Sequence, residues 1–149
     1  MSADRLTLDT NILFYASDNT AGEKQLVAQK LTRAAALRRE ILTLQSLAEL
    51  SNAFAKRRLH QHDIADGIVR GYLNTFTVVP ATDADLLEAL RHHHQHNIPF
   101  WDAMLCATAR RAGCTLLLSE DLQDGRTLDG FTIRNPFKLS PAELDQLIG

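Results

Sequence analysis

Four acidic residues carry the clearest chemical signal in this sequence of 149 residues: Asp9, Glu49, Asp102 and Asp121. None of them has a lysine or arginine as its immediate neighbour in the sequence. Carboxylates that are brought together without cations repel each other and raise each other's pKa values, and a divalent metal ion would relieve that repulsion. Oxygen ligands without Cys or His suit Mg²⁺, with Mn²⁺ as a possible substitute. A metal ion held in this way would bind water and a phosphate, the two reactants of phosphodiester hydrolysis.

Short apolar stretches alternate with amphipathic segments, and this alternation predicts the elements that position the acids. The strand candidates are residues 5–9, 41–44, 76–79, 115–118 and 131–133. The helix candidates are residues 23–39, 46–58, around 64–72, 82–94 and 101–112, and a short final helix at 140–148. In the helix at 82–94, Leu86, Leu87 and Leu90 are expected to face inward. The pattern predicts an α/β fold, a three-layer α/β/α sandwich around a central parallel sheet.

All four acids map to one edge of that sheet. In parallel sheets flanked by helices, ligands bind beyond the carboxyl ends of the strands. Asp9 ends the first strand, and Asp121 follows the strand at 115–118 by three residues. Glu49 is expected in the first turn of the helix after the second strand, and Asp102 opens the helix that leads into the strand at 115–118. The topology therefore predicts that the four carboxylates converge.

Each acid also has a purely structural alternative. Asp9 or Asn11 could cap a helix, and Glu49 could complete a capping box with the serine three residues before it. Asp102 could complement the positive end of its helix dipole. Asp121 lies in a segment rich in acids and glycine, where a turn residue is ordinary. The catalytic interpretation rests on the coincidence of four acids at one edge.

The charge distribution adds a second candidate surface. The net charge is −2, but the stretch from Lys24 to Arg58 contains eight basic and two acidic residues. This basic segment could face phosphates, and Lys56, Arg57 and Arg58 are its candidate contacts to a nucleic acid. The alternative is two amphipathic helices whose outer faces are simply solvated.

The remaining composition is that of one globular domain over residues 1–149, with 45% hydrophobic and 23% charged residues. No apolar run approaches the ~20 residues that a bilayer span requires, so we expect a cytoplasmic protein without membrane association. Cys106 and Cys114 lack the spacing of a metal site and are too few for a disulfide framework. They are expected to be reduced thiols in the core.

Several motifs together resemble a known family. They are LTLDTN (6–11), QSLAEL (45–50), FWDAMLCATA (100–109), GCTLLLSEDLQDG (113–125) and NPF (135–137). The sequence resembles PIN domains over residues 6–137, and within them the VapC-type toxins of bacterial toxin–antitoxin pairs. The DTN after a strand is a weak signal alone, whereas the WDA helix start with the later GC and SEDLQ is specific.

The resemblance implies a metal-dependent endoribonuclease that hydrolyses RNA phosphodiesters and is held inactive by a small antitoxin protein. It also implies a homodimer. The family's acidic quartet, which holds the metal, corresponds to Asp9, Glu49, Asp102 and Asp121. Its hydroxyl and amide helpers, which orient ligands or water, correspond to Thr10, Asn11 and Ser119. Asp124 falls outside the usual quartet and is treated as an auxiliary residue.

Other residues invite chemistry but have simpler interpretations. His92, His93, His94 and His96 are expected at a solvated helix end, where only His92 and His96 share a face. Trp101 could stack on a base, but beside Pro99 and Phe100 it is expected to anchor its helix in apolar surroundings.

Two other classes of function remain to be considered. One is another Mg²⁺-dependent, acid-edged α/β phosphohydrolase or switch. Aspartyl-phosphate phosphatases need an acid two residues after the nucleophilic Asp, but Asn11 stands there, and a receiver needs its Asp after the third strand, which runs into Pro80. The other is a catalytically inactive PIN scaffold that binds RNA or protein, which predicts a loss of acids that the sequence does not display.

Overall fold

A computed structural model describes residues 5–149 and contains six strands and seven α-helices within them. The elements are β1 Leu6–Leu8, α1 Thr10–Ala16, α2 Glu23–Leu37, β2 Ile41–Thr43, α3 Leu44–Arg57, α4 His62–Thr75, β3 Thr77–Val79, α5 Asp83–His96, α6 Phe100–Arg111, β4 Leu116–Leu118, β5 Thr127–Leu128, β6 Phe131–Arg134 and α7 Pro141–Ile148, with a 3-10 turn at Pro136–Lys138. The α/β prediction is confirmed, and the boundaries differ from the predicted ones by a few residues.

The six strands form one sheet in the order β3-β2-β1-β4-β6-β5. Every neighbouring pair is parallel except β5 with β6, which is antiparallel. β1 lies between β2 and β4, and Leu8 is paired with Leu118 at the carboxyl ends of the two strands. Both side chains are fully buried, as expected for strands with helices on either side. The residues that follow β1 and β4 therefore emerge side by side.

The hairpin of β5 and β6 escaped the sequence analysis, which identified only the second strand. Leu128 pairs with Phe131, so the loop consists of Asp129 and Gly130. Both loop residues have positive φ, +49° and +83°. This is the backbone that a two-residue hairpin loop of the right twist requires, and Asp-Gly is one of its strongest sequence signals. The signal was present in the sequence.

Helix α3 begins earlier than predicted. Thr43 is its N-cap, and the Thr43 hydroxyl accepts a hydrogen bond from the backbone N–H of Ser46. Glu49 therefore lies in the second turn of α3, not in the first. The capping-box interpretation of Glu49 is wrong because the cap position is six residues away from it.

Helix α5 packs against α6 through a face that the sequence analysis did not select. Leu86, Leu87 and Leu90 were expected to face inward, but all three are exposed, Leu87 to 68%. The buried face instead carries Asp85, Ala89 and His92. The Asp85 carboxylate is satisfied within this interface. It accepts from Arg111 Nε at 2.9 Å and Thr108 Oγ1 at 3.1 Å of α6, and from the backbone N–H of Thr82 at 2.9 Å.

Both cysteines are buried and unpaired, as expected. Burial raises the pKa of Cys106 and of Cys114 to about 12, so both are thiols at neutral pH. None of the helices between residues 5 and 149 combines the length and the apolar composition needed to cross a bilayer.

Candidate active site

The four acids converge on one cavity at the carboxyl edge of the sheet. Asp9, Glu49, Asp102 and Asp121 all line a cavity of about 350 Å³. Thr10, Asn11, Phe14, Tyr15, Ala53 and Arg57 complete its wall. A larger cavity of about 590 Å³ lies between α3 and α4, but it is lined by none of the four acids. The concentration of carboxylates identifies the smaller cavity as the candidate active site.

Asp9 is held where β1 becomes α1. Its backbone N–H donates to Leu118 O at 3.0 Å, which ties the end of β1 to β4. Its side chain caps α1 by accepting from the N–H of Thr10 at 2.7 Å, and it also accepts from the Ser119 hydroxyl at 2.7 Å. Burial raises its pKa from an ordinary 3.8 to about 6, and the charges of Asp102 and Asp121 act in the same direction. Asp9 is thus both a helix cap and an acid of raised pKa in the cavity.

Glu49 reaches the cavity from α3. Its two carboxylate oxygens accept from the Thr10 hydroxyl at 3.1 Å and from Gln45 Nε2 at 2.8 Å. The Thr10 hydroxyl lies equally close to Ser46 O, and its single hydrogen serves one acceptor at a time. Gln45 Nε2 also donates to the backbone carbonyl of Trp101 at 2.9 Å. Gln45 therefore links the position of Glu49 to the start of α6.

Asp102 lies in the first turn of α6, where it complements the helix dipole as its structural alternative proposed. Its pKa is nevertheless raised, first by burial and then by the negative charges of Asp121 and Glu49. Burial, with the repulsion from the other acids added to it, thus outweighs the favourable end of the helix.

Asp121 is positioned by side chains from two elements. Asn11 Nδ2 donates to Asp121 Oδ2 at 3.0 Å, while Asn11 Oδ1 accepts from the backbone N–H of Glu120 at 3.4 Å. The backbone N–H of Asp121 donates to Ser119 Oγ at 3.2 Å. Asn11 and Ser119 therefore hold the segment after β4 against the start of α1.

A contact outside the cavity holds the same segment, and the sequence analysis missed it. Glu120 Oε1 accepts from the Tyr15 hydroxyl at 3.1 Å and from Lys24 Nζ at 2.9 Å. Lys24 Nζ also lies 5.1 Å from the ring centroid of Tyr15 and 5.4 Å from that of Phe137. No local pattern signals this cluster, because Lys24 and Glu120 are 96 positions apart in the chain.

Asp124 does not reach the cavity. Its carboxylate accepts from the backbone N–H of Asn135 at 2.8 Å and lies 3.5 Å from Arg134 Nε. It therefore fastens the end of β6 to the preceding loop, and the expectation of an auxiliary site residue is replaced by this structural role.

The three basic residues of the predicted nucleic-acid contact separate in space. Arg57 lines the acidic cavity, with its guanidinium carbon 4.9 Å from the centroid of the Phe14 ring. Arg58 lines the other cavity, and Lys56 borders neither of the two. The segment is thus not one continuous basic wall.

Trp101 and the histidines also differ from expectation. The Trp101 side chain is 64% exposed, so it does not anchor α6 in apolar surroundings. Phe100 takes that place, half-buried with its ring edge-on to His93 at 6.2 Å. His92 is fully buried rather than solvated, because α5 continues beyond it to His96 and turns its face toward α6.

A second acidic cluster, formed by Glu88, His92 and Asp129, differs from the cavity in its charge balance. One ligand atom from each lies within 4.8 Å of the others, so the spacing would admit a metal ion. However, Arg110 is ion-paired with both Glu88 and Asp129, and Arg91 lies 3.6 Å from Asp129. Two guanidinium groups already neutralise these acids, which makes the cluster an ion-pair network.

The four acids of the cavity have no such neutralisation. Within residues 5–149, no Lys, Arg or His nitrogen lies within 4.0 Å of their carboxylate oxygens. Their donor set consists of oxygen alone, which suits a hard divalent cation such as Mg²⁺. Among residues 5–149, however, no three of the four acids bring ligand atoms within 4.8 Å of one another. Burial is the main cause of the raised pKa values of Asp9 and Asp102, and the charges of the neighbouring acids add to it.

Comparison with known proteins gives a family match and a set of similar folds. The PIN domain family model matches residues 6–123, which ends before residue 137, the expected limit of the resemblance. Among curated protein sequences, none matches this chain significantly.

Three solved structures illustrate the similar folds. VapC20 of Mycobacterium tuberculosis, a toxin that cleaves the sarcin–ricin loop, is 16% identical over 78% of this chain and 89% of its own, with a TM-score of 0.63. A toxin–antitoxin complex from Klebsiella pneumoniae is 20% identical over 90% of this chain and 99% of its own, with a TM-score of 0.64. VapBC2 of Rickettsia felis, bound to a DNA fragment from its promoter, is 15% identical over 87% of this chain and 97% of its own, with a TM-score of 0.64. At these identities the likeness establishes the fold.

Proposed function

Since the chain belongs to the PIN domain family, we propose that it is an endoribonuclease that hydrolyses RNA phosphodiesters and acts as the toxin of a toxin–antitoxin pair. The observation that carries the proposal is the convergence of four carboxylates without cationic partners on one cavity. The similar structures support it, since they include a toxin that cleaves the sarcin–ricin loop and a toxin–antitoxin complex. We assign the function to one PIN unit over residues 1–149.

The proposed cofactor is Mg²⁺, with Mn²⁺ as a substitute, held by Asp9, Glu49, Asp102 and Asp121. When bound, such an ion supplies a water of lowered pKa and stabilises the charge that develops on the phosphate. The protein itself contributes an oxygen-lined cavity, in which Asp9, Glu49 and Asp121 each accept a neighbouring hydrogen bond and Asp102 lies in the first turn of α6.

Three neutral side chains act through the acids and are positioning residues. Ser119 donates to Asp9, Thr10 to Glu49 and Asn11 to Asp121. A donated hydrogen bond fixes the direction of a carboxylate oxygen and favours its ionised form. We propose that these residues orient the carboxylates at the wall of the cavity.

The RNA contact of the basic segment belongs to Arg57, because Lys56 and Arg58 lie outside the cavity. An alternative inactive scaffold is not favoured, since all four acids are present and face one another's charge. An acid-edged phosphohydrolase of the aspartyl-phosphate type is not favoured either. It would need an acid two residues after its nucleophilic Asp, and this chain has Asn11 there.

The decisive experiment is incubation of the purified chain with a mixed cellular RNA pool, with and without Mg²⁺, followed by mapping of new 5′ ends. New ends that require both the metal and the wild-type protein support the proposal. The Asp9→Asn protein, folded by circular dichroism, is the control and should produce none. Equal cleavage by wild type and Asp9→Asn would refute the proposed mechanism.

A partner protein is part of the proposal. Unpaired acids in a cleft could be neutralised by an arginine of an antitoxin, which binds a carboxylate such as Asp9 or Asp102 through two parallel hydrogen bonds. The prediction is that the chain co-purifies with the product of an adjacent small reading frame, and that expression without it arrests growth. If the chain neither co-purifies with such a product nor arrests growth, the toxin assignment is wrong.

The expected homodimer is tested by sedimentation of the purified chain.

A further inference from the structure

One face of α3 carries an acid and a cation into the same cavity. Glu49, Ala53 and Arg57 follow one another at intervals of four residues, and all three line the cavity. Residues four apart share a helix face. At 1.5 Å per residue, Glu49 and Arg57 are about 12 Å apart along the helix axis. The cavity therefore has a negative region near Glu49 and a positive end at Arg57.

Arg57 is held by an aromatic ring rather than by an acid. Its guanidinium carbon lies 4.9 Å from the centroid of Phe14, whose side chain is buried and therefore rigid. Within residues 5–149, no carboxylate oxygen lies within ion-pair distance of Arg57. The charge of Arg57 influences Asp18, but the Asp18 carboxylate is bonded to Thr20. The N–H groups of Arg57 are left for a ligand.

We propose that Arg57 forms a phosphate subsite of the cavity, which binds the non-bridging oxygens of one RNA phosphodiester two to three nucleotides from the site of cleavage. The proposal rests on the proposed ribonuclease function and deepens it. A polyanion is repelled by the four acids, so a fixed cation at the end of the cavity provides the attraction it needs. A guanidinium presents paired N–H donors that match two phosphate oxygens, and the cation–π contact with Phe14 holds the guanidinium near the cavity without using those donors.

The spacing predicts which phosphate is bound. A stacked strand rises about 3.4 Å per nucleotide and an unstacked strand extends further. The ~12 Å between Glu49 and Arg57 along α3 therefore corresponds to roughly two to three nucleotides from the phosphate over the acids. The subsite is specific to one position of the strand, unlike a diffuse basic surface.

The two neighbouring cations are matched controls, because they carry the same charge but lie elsewhere. Lys56 is exposed and borders neither cavity. Arg58 ends the helix in a left-handed conformation, φ +49°, and its side chain lines the cavity between α3 and α4. A general loss of positive charge would affect all three variants alike.

The experiment uses a cleavable RNA oligonucleotide in which one phosphate at a time is replaced by a neutral methylphosphonate. For the wild type, kcat/KM should fall about tenfold at one position two to three nucleotides from the cleaved bond, the loss of a charged hydrogen bond. Arg57→Ala should raise KM about tenfold on the unmodified RNA, leave kcat nearly unchanged and show no further loss at that position. Lys56→Ala and Arg58→Ala should retain the wild-type profile.

Binding of the same oligonucleotides in EDTA, measured by fluorescence anisotropy, tests the subsite independently of cleavage. Weaker binding by Arg57→Ala alone, with the same position-specific loss, supports it even if the chain cleaves no RNA. Arg57→Lys should recover part of the affinity, because a lysine supplies the charge without the paired donors. The proposal is refuted if Arg57→Ala keeps the wild-type sensitivity to the methylphosphonate. It is also refuted if all three alanine variants lose affinity equally.

Discussion

The Ser119 hydroxyl donates a 2.7 Å hydrogen bond to Asp9 Oδ2 and, at 3.2 Å, accepts one from the backbone N–H of Asp121. One buried hydroxyl thus serves the end of β1 and the segment after β4 at the same time. Donation to Asp9 opposes the effect of burial on the pKa of that carboxyl group. The relationship makes Ser119 a determinant of the charge state of the cavity.

Ser119→Ala should therefore raise the pKa of Asp9 further above about 6, because the hydrogen bond that favours its ionised form is lost. The acidic limb of the pH–rate profile for RNA cleavage should move to higher pH. The control is Ser51→Ala, since the Ser51 hydroxyl donates to Leu47 O on α3 and lies outside the acidic cavity. An unshifted acidic limb in Ser119→Ala would contradict this role.

The raised pKa of Asp9 predicts how stability depends on pH without metal. Between about pH 4 and pH 6 the folded protein binds a proton at Asp9 that the unfolded chain has lost, so the free energy of unfolding falls as pH rises. For a shift from 3.8 to about 6, the full loss is about 3 kcal/mol, of which roughly 2 kcal/mol falls between pH 4.5 and pH 7. Asp9→Asn should lack this contribution, as measured by urea unfolding in EDTA at pH 4.5 and 7. Equal pH dependence in both proteins would show that Asp9 is not perturbed.

Glu49→Gln removes the charge and keeps the acceptor for Thr10, while the hydrogen bond from Gln45 Nε2 to the other carboxylate oxygen is lost. The glutamine oxygen can still accept from Thr10, so the melting temperature should change little. Loss of a residue that supports a metal ligand costs about 10–100-fold, so loss of a ligand charge should lower activity by at least that factor. The measurement is kcat for RNA cleavage at saturating Mg²⁺. A fully active Glu49→Gln enzyme would exclude Glu49 from the metal site.

Asp102→Asn should uncouple stability from Mg²⁺. Without metal, removal of one repelling charge should leave the melting temperature unchanged or raise it, because burial and neighbouring acids already disfavour ionised Asp102. Wild type should gain about 1.4 kcal/mol when free Mg²⁺ is ten times its dissociation constant. The variant should lose most of that gain.

Asp124→Asn is the matched control for that comparison, since its carboxylate lies outside the cavity and bonds Asn135. It should respond to Mg²⁺ like wild type. A wild-type Mg²⁺ response in Asp102→Asn would mean that Asp102 is not a ligand. If Asp102→Asn melted at a much lower temperature than wild type without metal, the Asp102 carboxylate would have a structural role.

The edge of the sheet was predictable because parallel topology alone decides where Asp9 and Asp121 emerge. The face of α5 was not, because its leucines and its polar residues are both spaced at helical intervals. The buried carboxylate of Asp85 accepts from Arg111 and Thr108, which come from a distant part of the chain. Apolar periodicity identifies an amphipathic helix but cannot choose a buried face that is satisfied by remote donors.

Within the site, too, some residues could be expected from the sequence, whereas others depend on contacts between distant parts of the chain. Thr10 and Asn11 were expected as helpers from the resemblance to PIN domains. The Lys24 contact to Glu120 and the cation–π contact of Arg57 with Phe14 depend on how helices pack, and no spacing in the sequence encodes them. The Asp-Gly loop of the last hairpin, by contrast, was available as a local signal and went unused.

The pairing of β1 with β4 joins residues 110 positions apart, and it has a consequence for biosynthesis. Contacts between such distant parts of a chain form late, because the intervening loop must be closed first. During translation, the first strand leaves the ribosome long before its partner is made. The carboxylate cavity therefore assembles only after residues 116–121 have been synthesised, and a nascent chain that ends before residue 116 has no means of forming it. Late assembly separates the synthesis of the first strand from the appearance of the candidate active site.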